Sequence, residues 1–459
     1  MIHRYQKKGL NFVLDVNSGA VHLLDDISYA VSGLLDENMG DTCPQSVIDA
    51  LPDYTADEIR EAYDELYELK KAGQLFVQDD YIDVSRYIPV NAPVKALCLH
   101  VAHDCNLRCQ YCFASTGDFG QGRKIMPPEI AKKAIDFVIA RSGVRHNIEV
   151  DFFGGEPLMA WDTVTQTVDY ARSLEEKYNK KFRFTITTNG LLLDEDKRKY
   201  INENMDNCVL SLDGRREVND EFRKTVAGTG SYDTIVPKFK ALVDERDPNL
   251  DYYARGTFTS HNLDFAEDVL SIADAGFDRL SVEPVTADPG CGYDLTEDDL
   301  PKIEAEYDRL TDIMLERKKE GKPFTFFHFM VDLDQGPCVV KRLRGCGAGY
   351  EYVAVTPDGD IYPCHQFVGK DEFKQGSVLD QSFNMDIAQK FAGMNIYSRP
   401  KCQKCWAKFY CSGGCSAANY NMNHDMNDSY DLGCEMERKR LECAIYLKAM
   451  DKICANQSK

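Results

Sequence analysis

Apolar and polar positions alternate with period two over residues 10–16 and resume over 20–24, with Asn17 and Gly19 between them, the pattern of a β-hairpin. Residues 27–35 read as a short helix. Thr55 and Glu58 then form a T-x-x-E capping box ahead of Ile59, Ala62, Tyr63, Leu66 and Leu69, which fall on one helical face. Gly73 ends that helix, and residues 75–77 are expected to return as a strand. Strands, helices and a closing strand predict a small winged-helix-like α+β unit over residues 1–90.

A different rhythm runs from 93 to 320. Six short apolar segments (94–101, 148–153, 182–187, 208–212, 252–259 and 280–285) alternate with helical patterns near 128–141, 161–178, 194–204, 232–245, 263–275 and 297–319. Repeated βα units predict a parallel sheet. Six are too few to close an eight-stranded barrel, so the expected fold class is α/β, an open (β/α)6 TIM-like partial barrel. Ligands in such folds sit at the carboxyl ends of the strands. The segments expected there are polar and mutually unlike: Cys105 onwards, GGEP at 154–157, TNG at 188–190, SLDG at 211–214 and EP at 283–284. Residues 335–459 form a third region, with a hairpin pattern over 353–362 about Asp358 and Gly359. It reads as poor in long apolar helices and in need of staples. There is no internal repeat and no low-complexity tract.

At 459 residues the chain has room for two to four domains, and 43% hydrophobic with 28% charged residues is an ordinary globular balance. No apolar run approaches the roughly 18 residues of a membrane span, and the opening residues lack the apolar stretch of an export signal. A cytoplasmic protein without membrane contact is expected. Lys and Arg total 54 against 75 Asp and Glu, a formal charge of −21, which should repel a phosphate backbone and disfavours nucleic acid as partner. Solubility accounts for that charge equally well. Acidic residues crowd 53–68, so the first unit favours a peptide laid along its sheet edge over DNA. A packing or dimerisation domain fits the same pattern.

Seventeen cysteines change the picture. Without an export signal, close and regular spacing points to metal or catalysis rather than disulfides. Cys105, Cys109 and Cys112 stand as C-x3-C-x2-C beside Tyr111 and Phe113, just past the first barrel strand. Three thiolates on one loop can hold three corners of a cubic iron–sulfur cluster and leave one iron open. A structural zinc site would need a fourth ligand, for which His103 is nearest. Ten of the 17 cysteines lie after residue 335, with Cys346 and Cys364 followed by Cys402, Cys405, Cys411, Cys415 and Cys434 in close order. Cys43, Cys98, Cys208, Cys291, Cys338, Cys443 and Cys454 show no ligand spacing; Cys98 and Cys208 are expected in the core, and Cys291 in a loop near the barrel rim.

The first cysteine motif, joined to GGEP, resembles the radical S-adenosylmethionine (SAM) superfamily. The resemblance implies that Cys105, Cys109 and Cys112 ligate a [4Fe–4S] cluster whose open iron takes SAM, the source of a 5′-deoxyadenosyl radical. It assigns SAM contacts to Tyr111, Gly155, Glu156, Asn189, Ser211 and Arg223. Asn189 also reads as a strand-end turn, and Arg223 as a surface ion pair. The later cysteine string resembles the SPASM domain, which implies two auxiliary clusters: the first on Cys346, Cys364 and Cys415, the second on Cys402, Cys405, Cys411 and Cys434. Residues 347–356 contain no further cysteine, so either Cys338 completes the first site or an iron stays open for a substrate thiolate.

The three regions together resemble maturases of ribosomally made peptides, and residues 14–22 resemble those of SCIFF, short cysteine-rich precursors. The implied activity is intramolecular thioether formation on a peptide bound through its leader by residues 1–90, with a flavodoxin or ferredoxin as electron donor. His365 occupies the place of an acidic residue in sulfatase-maturing relatives, which argues against formylglycine formation. The rival readings are another SPASM maturase, of the sulfatase or carbon–carbon crosslinking type, and a non-catalytic iron–sulfur or zinc protein.

Overall fold

The computed structural model describes residues 1–86, 92–333 and 342–457. At the N-terminus β1 (Ile2–Lys7), β2 (Leu10–Asp15) and β3 (Val21–Leu24) form an antiparallel meander, in which Phe12 pairs with both Tyr5 and Leu23. Helix Ala56–Lys71 closes over one face of it. Its capping box is in place: Glu58 N–H donates to Thr55 Oγ1 and Thr55 N–H to Glu58 Oε2, and Ile59, Ala62, Tyr63 and Leu66 are buried. The expected strand at 75–77 is absent. Phe76 takes φ +54°, and side chains serve this segment in place of a ladder: Val77 N–H donates to Asp15 Oδ2 and Asn17 Nδ2 donates to Val77 O.

The main sheet is larger than the six-strand pattern. β4 (Ala96–His103), β6 (Asn147–Gly154), β7 (Lys181–Thr188), β8 (Asn207–Ser211), β9 (Asp251–Phe258) and β10 (Arg279–Pro284) are the expected strands, each within about three residues of its predicted bounds. A two-residue strand, β11 (Thr325–Phe326), adds to β10. β12 (Tyr352–Val355), from the cysteine-rich region, pairs in parallel with β4 on its other side. Eight neighbouring parallel strands, β11-β10-β9-β8-β7-β6-β4-β12, thus form an open, partial barrel. The sheet then turns antiparallel through β13 (Asp360–Tyr362), β14 (Gly376–Ser377) and β15 (Ser382–Phe383), and a short β5 (Lys124–Ile125) pairs with β4. With neighbours on both edges, β4 is buried at every position, which explains its continuous apolar run.

Helices Pro128–Arg141, Trp161–Tyr178, Glu195–Asn204, Tyr232–Asp244, Phe265–Asp274 and Leu300–Lys319 cover the outside of the sheet. The last third is not poor in long helices, contrary to expectation. It ends in the 27-residue helix Asp431–Gln457, which packs along Leu300–Lys319 and meets β1, where His3 Nε2 lies 2.9 Å from Glu442 Oε1. Among the described residues no helix is long and apolar enough to cross a membrane.

Candidate functional site

The loop after β4 carries the first three cysteines. Its conformation is tied to the segment beyond β8: Arg108 N–H donates to Lys224 O and Gln110 N–H to Phe222 O, at 2.7 and 3.2 Å. Cys112 N–H closes a turn on Cys109 O. On the other side, Gly155 N–H donates to Ala102 O and Glu156 N–H to Asp104 O, so the GGEP run lies against the start of the cysteine loop. The glycines are required there. A Cβ on Gly154 or Gly155 would come 2.2 or 2.1 Å from the carbonyl oxygens of Ala102 or Asp104, and Gly154 has φ +126°.

All nine residues assigned to the first cluster and to SAM (Cys105, Cys109, Cys112, Tyr111, Gly155, Glu156, Asn189, Ser211 and Arg223) line one cavity of about 260 Å³ at the carboxyl ends of the strands. Glu156 is buried; its Oε1 accepts from Leu158 N–H and Thr188 Oγ1, and its Oε2 from Asn189 N–H, and burial raises its pKa against these bonds. Asn189 makes the strand-end turn and also lines the cavity. Its Oδ1 caps a turn by accepting from Leu191 N–H, while its Nδ2 donates to Asn106 Oδ1 and lies 3.6 Å from Cys105 Sγ.

Arg223 is not a surface residue. It is 8% exposed, donates to Tyr111 Oη at 2.7 Å, and stands 3.5 Å from the buried carboxylate of Asp213, to which Tyr111 Oη donates at 2.6 Å. Against the pull of burial, Tyr111, Asp213 and Cys109 lift its pKa. Its buried Nε has no partner, an unmet donor beside a cavity that a carboxylate would satisfy. Burial, then the nearby Glu156, pushes the Cys105 thiol up to about 12, and burial pushes Cys109 to about 11. Thiols so placed ionise at neutral pH only with a cationic centre beside them. Among the described residues no three His, Cys, Asp or Glu groups converge as ligands of a single metal ion do. The thiols border a common space instead, and the donor set fits a polynuclear cluster with SAM against it.

The cavity residues not found by motif include Arg255, Thr257 and Gln366, and behind the lining the motifs also missed the role of Asp213. Asp213 lies inside the SLDG run and orients Tyr111 and Arg223 rather than lining the cavity itself. Arg255 and Thr257 lie on the unburied face of β9, where burial alternates strictly, and Arg255 pairs with Glu283 at 2.8 Å. A polar face on a strand with neighbours on both sides is the signal that would have identified them. Gln366 and His365 bring the loop after Cys364 into the same cavity. His365 packs against Phe113 and Phe153, and burial lowers its pKa to about 4.

The later cysteines form two groups. Cys402, Cys405, Cys411 and Cys434 line one cavity of about 340 Å³ with Glu437 and Arg438. Burial, then Glu437, pushes Cys411 to about 12, and burial pushes Cys434 to about 11. Cys402 packs with Val16, Leu343, Ile396 and Phe409. In the other group Cys364 is buried while Cys346 and Cys415 are exposed. Burial raises the pKa of Cys364, and charge on Cys415 or Cys346 raises it further, so the three are electrostatic neighbours. Cys338 lies outside the described residues. Cys98 and Cys208 are core residues, and exposed Cys291 lines an opening beside the main cavity.

Residues 99–251 match the radical SAM superfamily model, and residues 346–406 match the SPASM model, an iron–sulfur cluster-binding domain. A cysteine-type anaerobic sulfatase-maturating enzyme of Clostridium novyi is 25% identical over 354 residues, 72% of this chain and 90% of that one. The radical SAM cyclopropyl synthase TigE of Paramaledivibacter caminithermalis is 24% identical over 353 residues, 72% of this chain and 70% of that one. Streptococcus suis SuiB, in a crystal structure bound to precursor peptide SuiA, superposes with a TM-score of 0.52 at 16% identity, over 93% of this chain and 97% of that one, a likeness of fold.

Proposed function

We propose that this chain, which carries a radical SAM domain and a SPASM domain and with them SAM, a [4Fe–4S] cluster and auxiliary iron–sulfur clusters, is a peptide maturase that forms thioether crosslinks in a cysteine-rich precursor. The observation that carries the reading is the extent of one cavity: it runs from Cys105, Cys109 and Cys112 to His365 and Gln366, next to Cys364. A peptide segment seated there meets both the SAM site and the first auxiliary site.

When bound, SAM and the first cluster supply a 5′-deoxyadenosyl radical that takes a hydrogen atom from the substrate. The chain's residues set the stage for it. Cys105, Cys109 and Cys112 hold the cluster, Glu156 and the Gly155 backbone receive the ammonium of SAM, and Arg223, with Ser211 and Asn189 nearby, receives its carboxylate and ribose. Asp213 and Tyr111 keep the guanidinium of Arg223 fixed, so that its free Nε faces a carboxylate at little cost in side-chain entropy. Cys346, Cys364 and Cys415 would hold the first auxiliary cluster, which would supply a Lewis-acid site for the sulfur of a substrate cysteine. Cys402, Cys405, Cys411 and Cys434 hold the second. Each link removes two hydrogens, one as an atom and one as a proton, and leaves one surplus electron, for which the auxiliary clusters would supply the acceptor; the electron that starts each SAM cleavage would come from a donor such as a flavodoxin or ferredoxin.

Residues 1–90 serve as the leader-recognition unit, residues 93–320 as the radical SAM barrel and 335–459 as the SPASM domain. Support for the first assignment is the free edge of β3, which pairs only with β2 among the described residues and bears the 40% exposed Leu23. The test is anaerobic incubation of the reconstituted protein with SAM, reductant and a cysteine-rich precursor. Loss of two hydrogens per link is expected, with 5′-deoxyadenosine formed, and both lost in Cys105→Ala. A precursor processed equally well without its leader, or a cysteine converted to an aldehyde, would overturn the assignment.

A further inference from the structure

Arg399 is 3% exposed, yet every group it bonds is neutral. Nη1 donates to Gly413 O at 2.8 Å, Nη2 to Ser416 Oγ at 3.0 Å, and Nε to Met426 O at 3.3 Å. Among the described residues no carboxylate pairs with it. A guanidinium is always charged, and a buried charge without a counter-charge is strongly disfavoured. The counter-charge has to be found in what surrounds it.

Its surroundings are the two auxiliary cysteine groups. Arg399 O accepts from the N–H of Cys402, so the residue caps the turn that carries one ligand of the second site. Its guanidinium spans Gly413, which lies between Cys411 of the second site and Cys415 of the first, and Ser416, the residue after Cys415. A Cβ on Gly413 would lie 2.1 Å from Nη1, so the backbone here is shaped to admit the guanidinium. Burial lowers its pKa, and the groups that oppose this are all thiols: Cys402, Cys411, Cys415 and Cys346, two from each site.

We propose that Arg399 is the shared counter-cation of the two auxiliary clusters, raising the reduction potential of both and coupling the charge of one to that of the other. A thiolate-bound cluster is anionic and gains one further negative charge on taking up one electron, so a fixed neighbouring cation favours the reduced state. The inference rests on the cluster ligands and not on the thioether chemistry.

The test uses reconstituted holoprotein, titrated with dithionite and followed by electron paramagnetic resonance. In Arg399→Gln, the ratio of reduced to oxidised auxiliary cluster at a fixed solution potential should fall at least tenfold, about 59 mV for a one-electron couple. The cluster on Cys105 should keep its potential, and Arg399→Lys should recover most of the shift. Thermal melts of metal-free protein provide the second reading, because without clusters the charge has no counter-ion there. Arg399→Gln should then cost the metal-free protein only its lost hydrogen bonds while destabilising the holoprotein clearly more, and failure to take up auxiliary iron in an intact fold counts the same way. Unchanged potentials in iron-replete Arg399→Gln, or equal destabilisation with and without iron, would make Arg399 a packing residue and overturn the proposal.

Discussion

The two auxiliary cysteine groups lie within one small region, bridged by the same arginine, yet they are built differently. The second has four cysteines around one cavity, and the N-terminal unit holds it down. The ring of Trp406, beside Cys405, stacks on His3 of β1 at 3.8 Å. Lys408, 2% exposed at its side chain, pairs with Asp79 at 2.5 Å, and Tyr397 Oη donates to the same carboxylate. Val16 packs beside Cys402. The first group has three cysteines among the described residues, two of them exposed, and His365, the residue after its buried member, lines the main cavity. A site with a full set of four cysteines suits electron transfer or structure, while one with three and an accessible side suits substrate binding. Similar cysteine sets thus become different chemical sites through what packs on them.

The sharpest way to break this contrast is to remove one ligand from each. Cys402→Ala should lose about one cluster of iron and also destabilise the fold, because Cys402 is a core residue. Cys346→Ala should lose a similar amount of iron with little change in melting temperature, and should abolish crosslinking while leaving SAM cleavage measurable. Equal melting shifts for the two would dissolve the distinction.

A smaller effect is expected from the clamp. Asp79→Asn removes the charge opposite buried Lys408 and should cost about 2 kcal/mol in chemical denaturation, perturbing the spectrum of the second site and not of the first. Lys408 and Tyr397 hold the Asp79 carboxyl below its usual range, although burial alone would raise it. The native state therefore binds this proton less readily than the unfolded chain. Its stabilisation is complete above about pH 4 and is lost as the pH falls below that, and the acid limb of a stability–pH curve should flatten in Asp79→Asn.

The smallest effect should appear in metal-free protein under mild alkylation at pH 8, where exposed Cys346 of the first group should be labelled before buried Cys402 of the second, by peptide mass mapping. The rate at Cys411 should keep rising toward its pKa of about 12. The reverse order would make the first group the better protected of the two.

The sequence carried the barrel well because its signals are local. Period-two strands, helical faces and the cap at Thr55 depend on near neighbours, and the cysteine loop and GGEP declare themselves by spacing. What it did not carry depends on distant partners. The 353–362 hairpin was legible from Asp358 and Gly359, but nothing near β12 marks β4 as its neighbour, since the pairing of Ala354 with Cys98 is set by tertiary packing. β1 escaped notice because its burial comes from the C-terminal helix and Trp406. Asp213 stood within the SLDG segment with no role of its own, and only its contacts with Tyr111 and Arg223 reveal its positioning role.

The pairing of β12 with β4 also bears on how the molecule is made. Cys98 leaves the ribosome some 250 residues before Ala354, its partner across the sheet. At synthesis rates of roughly 5–20 residues per second, the edge of β4 stands bare on the nascent chain for about 10–50 s. During that interval the most buried strand of the barrel is a sticky, unpaired border, and a transcript truncated before codon 352 should yield aggregates rather than a soluble barrel.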